Sequence, residues 1–429
     1  MNSAVAVDPL RRVVSAQWCG TRVVLFDPDD DLIADCDEEE VGIDRASSTG
    51  NLKSSGEPEI VVTKEETKVV TPHKSPTPAS LGEAEASSAA PVLSDNAASK
   101  WCHRGSLREE VPPIDELLSW GFDALSYDKE YLVPVVLIIF GQYDLLERFE
   151  IDGDVMTACA TEIMNMHAEC SYHNWYHAVS AMHQAFLLLK IGGADRYIHD
   201  DQERLALLLG ALIHDLDHTG FNNDFEVKSK SELAQTYAGV SVLENHSISA
   251  TFNLLSKPEM DIFNNLSDDD RSCVIYFMKE VILATDPAHH SALTKELSDL
   301  VQSCRYSQTF ESSDPDSRLL LGKVIMHASD ISNPVHENFI VAKDWCARVT
   351  AEFSYQAEME KAQGLPVTPF MEGLDTEYKV AKLQIGFFQF MVQPLFKLLG
   401  VLLPDTAHLE RNGVRNSEQY QKIVDSYEK

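Results

Sequence analysis

From about residue 113 onward, apolar residues recur three and four apart in "IDELLSWGF", "ERLALLLGALI", "RSCVIYFMKEVILA", "LLLGKVIMHASDI" and "KVAKLQIGFFQFMVQPLFKLLGVLL". That spacing places them on one face of an α-helix, and no stretch alternates convincingly as a half-buried strand would. Gly and Pro punctuate the pattern at "KIGGAD", "SKPEM", "TDPAHH", "SSDPDS", "ISNP" and "QGLPVTPFMEG". The expectation is an all-α fold: one compact, multi-helix domain over residues 111–429, larger than a simple bundle and without internal repeats. The most apolar stretch, "YLVPVVLIIF" at 131–140, is about half a membrane span and is interrupted by Pro134, so no span is expected.

Residues 1–110 read differently. "FDPDDDLIADCDEEE" is an acidic run, and residues 46–100 are rich in Ser, Ala, Glu, Pro and Thr with almost no aromatics. Such a segment cannot bury enough surface to offset its ordering entropy, so a mostly disordered extension is expected. One exception is "VVSAQWCGTRVVLF" at 13–26, either a strand or a segment docked on the main domain. Thr71, Ser75 and Thr77 each precede proline, which fits a phosphorylation cluster or a plain linker. Across the chain, 68 acidic against 35 basic residues give a formal charge of −33, which repels nucleic acid polymers and anionic membrane surfaces. A small anionic substrate stays open, because divalent cations can invert the local field. The eight cysteines lie singly, with no CxxC pair, as in reduced thiols of an intracellular, cytoplasmic protein. The N-terminus lacks a basic start followed by an apolar block, so no secretory signal is expected.

The candidate chemistry sits at polar ends of apolar helices. Seven of the fifteen histidines fall between 167 and 218. "YHNWYHAV" sets His173 and His177 four apart on one helix face, and "HDLDH" repeats that spacing with His214 and His218 beside Asp215 and Asp217. "VIMHASDISNP" ends a third apolar helix with His327 and Asp330. A lone histidine on an apolar face is usually a satisfied core residue. Two acids and two imidazoles entering a core together are not, because without a cation several charges stay unpaired. Imidazole and carboxylate without thiolate suit zinc, manganese or iron, with magnesium at a carboxylate-rich second position. Spacing alone thus points to a binuclear metal phosphohydrolase, with both members of each histidine pair as ligands.

The segments "YHNWYHAV", "HDLDHTGFNN", "VLENH", "ILATD", "HASDISNP" and "LQIGFF" resemble, in order and spacing, the catalytic domain of class I 3′,5′-cyclic nucleotide phosphodiesterases, a branch of the HD metal-dependent phosphohydrolases. The resemblance covers roughly 115–425 and redistributes the roles. It implies two divalent metal ions: zinc held by His177, His214, Asp215 and Asp330, and magnesium or manganese bridged by Asp215. His218, Glu244 and Thr285 would order waters on the second ion, with His246 and Asp286 as supporting groups. A metal-bridging hydroxide would then attack phosphorus while His173, as general acid, protonates the departing ribose 3′ oxygen. Gln384 would hydrogen-bond the purine edge and Phe387 stack on the ring, although "LQIGFFQF" alone reads as core. Ile331, Val349 and Phe353 would line the opposite wall, Asn333 would lie near the exocyclic edge, and Tyr172 and Met371 towards the metals. The loop "QGLPVTPFMEG", 363–373, would cover the entrance as a mobile segment.

Ser247 and Ser180 stand where many relatives carry a histidine and an acid, leaving the proposed ligands intact. "ISNP" resembles cAMP-preferring branches, whereas "HNW" and "NN" look like branches accepting cGMP or both. The expected function is hydrolysis of a cyclic nucleotide, cAMP favoured, to the 5′-monophosphate, ending a cyclic nucleotide signal. The alternatives are another HD-type nucleotide phosphohydrolase or a non-catalytic cyclic nucleotide sensor. A homodimer is one expected assembly, and the N-terminal tail is expected to bind regulatory proteins or be phosphorylated. Asp217 has no assigned role.

Overall fold

The computed structural model describes residues 107–307 and 310–429, together with the backbone of two short strands. β1 (Val14–Trp18) and β2 (Thr21–Leu25) pair as a two-stranded sheet, the strand alternative of the two expected for 13–26. Thr71, Ser75 and Thr77 lie outside the described residues.

The main body is helical. Its principal elements are α1 (Val133–Gly141), α2 (Gly153–Met166), α3 (Trp175–Lys190), α4 (Asp201–Ile213), α5 (Asn223–Ser229), α6 (Val242–Leu255) and α7 (Asp268–Leu283). They continue with α8 (His290–Ser307), α9 (Pro315–Asp330), α10 (Phe339–Ala362), α11 (Glu377–Phe387), α12 (Gln393–Leu402) and α13 (Ala407–Tyr427). Side-chain oxygens start many of them: Asp152, Asn174, Asn222, Ser267, Asp314 and Thr376 each accept first-turn N–H groups that would otherwise lack partners. All six expected breaks fall at or beyond helix ends.

α4 is buried on every side from Leu205 to Ile213 and packs against α3, α7 and α9, so it forms the centre of the main core. This is why its polar C-terminal end opens directly onto the site. Gly413 lets α13 seat against the residues after α11: a Cβ there would come within 2.1 Å of the Phe388 ring.

Three expectations need correction. "IDELLSWGF" makes only one helical turn, Ile114–Leu117, before Ser119 Oγ accepts from Gly121 N at 3.1 Å and turns the chain. Pro134 lies in the first turn of α1, where its missing N–H costs no hydrogen bond, so it starts that helix rather than interrupting it. The expectation that no run reaches membrane length fails for α11 to α12. Joined by a π-helical turn, Phe388–Val392, they form one helix of 26 residues, Glu377–Leu402, long and apolar enough by length and composition to cross a membrane. Its Val392, Leu395, Phe396 and Leu399 lie in the main core.

Candidate functional site

α3 begins where Asn174 Oδ1 accepts from Tyr176 N and His177 N at 3.0 and 3.4 Å, which fixes His177 in the buried first turn. The apolar run of α4 ends at Ile213, so His214 and Asp215 leave the core together, and Asp217, with a left-handed φ of 59°, turns the chain away. Asp330 is the last residue of α9. These three helix ends bring ligand atoms of His177, His214, Asp215 and Asp330 within 4.8 Å of one another. His177 Nε2 lies 3.2 Å from His214 Nε2 and 3.0 Å from Asp330 Oδ1. Asp215 Oδ2 is 3.1 Å from His214 Nε2 and 3.3 Å from His177 Nε2.

This donor set fits a divalent cation. His214 Nδ1 donates to the Ala211 carbonyl at 3.0 Å, which leaves its Nε2 lone pair facing the cluster. Asp215 Oδ2 is buried and, despite its short distances, makes no properly directed hydrogen bond. Burial opposes charge on His214, Asp215 and Asp330, yet mutual attraction prevails: the two carboxylates are held below their usual range and His214 above the usual imidazole range. A bound cation would take the place of the proton that His214 otherwise holds.

His173, just before α3, is not part of this cluster. Its Nδ1 lies 2.6 Å from Glu352 Oε2, while the backbone N–H groups of Tyr172 and His173 donate to Glu352 Oε1 at 2.5 and 3.0 Å. Burial alone would lower the imidazole, but the charge and hydrogen bond of Glu352, helped by Asp215 and Asp330, raise it to about 9. The His218 ring stacks on His173 at 4.0 Å, and burial together with that neighbouring charge lowers His218 to about 3. A neutral His218 whose Nδ1 accepts from Gly220 N at 3.0 Å carries its proton on Nε2. Glu244 is pushed up to about 8, first by burial and then by the Asp286 carboxylate.

A cavity of about 180 Å³ joins these groups to the expected purine end. Tyr172, His173, Asp215, His218, Glu244, Thr285 and Asp330 line it, and so do Ile331, Asn333, Val349, Phe353, Gln384 and Phe387. Asn333 Nδ2 donates to the Tyr172 hydroxyl at 2.6 Å. A larger neighbouring cavity, about 360 Å³, is lined by residues such as Ala347, Val380 and Tyr420 and by none of the four clustered residues, whereas Asp215 and Asp330 line the smaller one.

Besides the cluster members His177 and His214, three expected residues fall outside the lining. His246 is drawn away by Asp217, whose Oδ2 lies 2.9 Å from its Nε2, and this pair is what Asp217 does in the structure. Asp286 accepts from Ser241 Oγ at 2.7 Å and from Ala288 N at 2.9 Å, reaching the site through its charge on Glu244. Met371, within the 363–373 segment, is fully buried and does not line the cavity. His327, noted for its motif, pairs with His290 at 2.9 Å. Sequence reading missed Glu352, Asn223 and Gln356. The only signal for any of them was the "NN" at 222–223, whose Asn223 donates to both Glu244 oxygens at 3.2 and 3.0 Å.

The family model described as 3′5′-cyclic nucleotide phosphodiesterase matches residues 172–412. The chain is 30% identical over 319 residues to the 3′,5′-cyclic-AMP phosphodiesterase 4C of Mus musculus, an alignment covering 72% of this chain and 46% of that protein. It is 33% identical over 318 residues to the high affinity cGMP-specific 3′,5′-cyclic phosphodiesterase 9A of Drosophila melanogaster, covering 72% of this chain and 20% of that one. The chain thus spans less than half the length of either relative. The crystal structure of the phosphodiesterase domain of Salpingoeca rosetta rhodopsin phosphodiesterase matches with a TM-score of 0.70 at 33% identity, covering 73% of this chain and 93% of that one. With the family model matched over more than half its residues, and with a His and Asp cluster opening onto one cavity, the chain belongs to the 3′5′-cyclic nucleotide phosphodiesterase family.

Proposed function

We propose that this protein hydrolyses a 3′,5′-cyclic nucleotide, cAMP in preference to cGMP, to the 5′-monophosphate. One observation carries the reading: a single cavity presents the carboxylates of the ligand cluster, the His173–Glu352 pair and the Gln384–Phe387 wall together. His177, His214, Asp215 and Asp330 would hold zinc, and Asp215 with waters ordered by His218, Glu244 and Thr285 would hold magnesium or manganese. Bound there, the two cations would supply charge neutralisation at the phosphate and an activated water.

The chain's own residues do the rest. His173, kept protonated by Glu352, donates its proton to the departing O3′, which as an alkoxide would leave poorly. Neutral His218, with its proton on Nε2, orients water as a hydrogen-bond donor. Phe387 and Val349 sandwich the base, and the Gln384 amide, able to donate and accept, suits either purine edge. The cAMP preference is supported by Asn333: with Nδ2 engaged by Tyr172, its Oδ1 is left to accept, matching the adenine amino group rather than the guanine carbonyl. The relatives' names include both nucleotides, so this preference rests on Asn333. Free Cys159, Cys170, Cys273, Cys304 and Cys346 fit a reducing, intracellular setting.

The test is turnover of cAMP and cGMP by purified protein with zinc and magnesium or manganese, with and without chelator. The expected result is chelator-sensitive release of 5′-AMP, with higher kcat/KM for cAMP than for cGMP. Hydrolysis of neither nucleotide would overturn the proposal.

A further inference from the structure

Glu360 lies in the last turn of α10 with no exposed surface, outside the lining of the catalytic cavity. A carboxylate so buried is costly unless donors surround it. Its donors come mostly from other segments. Thr368 supplies both its backbone N–H, at 2.6 Å, and its hydroxyl, at 2.8 Å. Gln356 Nε2 donates from one turn back at 3.0 Å, and Lys228 Nζ approaches from α5 to 3.6 Å. Lys228 also donates to Thr368 Oγ1 at 3.2 Å and to the Pro366 carbonyl at 3.4 Å.

These bonds converge on the segment between α10 and α11. That stretch contains Gly364 in a left-handed conformation, Pro366 and Pro369, and has little regular structure to hold it. Two residues beyond the Thr368 anchor, the Phe370 ring packs edge-on against Phe353 at 5.6 Å, and Phe353 lines the purine end. The network also runs the other way. Gln356 Oε1 accepts from Asn222 N at 3.0 Å, Asn222 caps α5, and the next residue, Asn223, holds Glu244 at the metal end.

We infer that Glu360 is a positioning residue for nucleotide binding: with Lys228 it pins the 366–371 segment through Thr368, so that Phe370 fixes Phe353 against the base. The inference rests on the proposed function, in that it takes the Phe353 wall as the purine site. Neither Glu360 nor Lys228 lines the catalytic cavity, so the pin acts on binding while the proton transfer at His173 proceeds unchanged.

The experiment uses the full chain and three variants: Glu360→Gln, which turns an amide towards a donor; Lys228→Met; and Lys228→Arg. Readouts are KM and kcat for cAMP and amide hydrogen exchange at Thr368. Loss of a charge-assisted hydrogen bond predicts that Glu360→Gln raises KM about tenfold and that Lys228→Met raises it less, with kcat nearly constant. Lys228→Arg keeps the wild-type KM, and Thr368 exchanges faster only in the first two variants. If Glu360→Gln does not fold, the two Lys228 variants carry the same comparison. Unchanged Thr368 exchange would refute the pin. Faster exchange with an unchanged KM, or with a kcat that falls as much as KM rises, would refute its role in binding. Thr368 exchange decides the pin even for a wild type that hydrolyses neither nucleotide, a result that would instead sink the proposed function.

Discussion

At the scale of single residues, the proposed mechanism separates metal holding from proton donation, and substitutions should separate them too. Asp215→Asn removes a cluster carboxylate, so bound metal measured by elemental analysis and turnover should be lost together. His173→Ala should retain metal and nucleotide binding while kcat falls by about 10²- to 10⁴-fold, the usual contribution of a positioned acid. Normal turnover by His173→Ala would remove it from that role. The Glu352 carboxylate gives a pH test. His173 is raised from 6.5 to about 9, so its acid form persists at neutral pH and is lost as pH rises through that value. Cations on Asp215 and Asp330 would cancel those two contributions and leave Glu352 as the main support. Glu352→Gln should therefore move the alkaline limb of the rate profile to lower pH; an unmoved limb would count against the pair. The linked stability follows the same sign. The pair's histidine share is fully present below about pH 6.5 and fades as pH rises through about 9, whereas the Glu352 share is lost as pH falls through its lowered value. None of this pairing was legible in the sequence, because Glu352 stands 179 positions from His173 with no motif around it.

Among the elements, the helices were legible where periodicity and punctuation agreed. The six breaks were found because Gly and Pro act locally, through backbone angles and missing donors. The ligand set was only partly legible. A four-residue spacing shows that His173 and His177, or His214 and His218, share a face, but not which face meets another helix end. Resemblance singled out His177, His214, Asp215 and Asp330, and these are the four whose ligand atoms the structure brings together where three helix ends converge. One close approach between elements offers a test. Gly413→Ala would drive a Cβ into the Phe388 ring, and overpacking of this kind costs about 1–3 kcal/mol. Thermal unfolding should show a lowered Tm, and because Phe388 follows Phe387 directly, KM for the nucleotide should rise as well. An unchanged Tm would mean that α13 gives way more easily than its packing implies.

For the molecule as a whole, a formal charge of −33 would be reconciled with the anionic substrate proposed above by cations at the site. The same ions should matter to stability, since ligand binding to the folded state alone raises it. Stripping metal with chelator should lower Tm by several degrees, and adding back zinc should restore it; a Tm indifferent to metal would contradict the assignment of the cluster. The wide-pitched turn at Phe388–Val392 bears on the molecule in another way. In an ordinary α-helix each residue advances the side-chain direction by about 100°, so one residue more or fewer swings everything beyond it to a different side. Gln384 and Phe387 face the cavity, whereas Leu395, Phe396 and Leu399 face the core, and the extra residue in that turn reconciles the two headings. This stretch of the gene should therefore tolerate many point substitutions at exposed Phe390 but not its deletion, which would force the helix to choose between binding a base and closing the core.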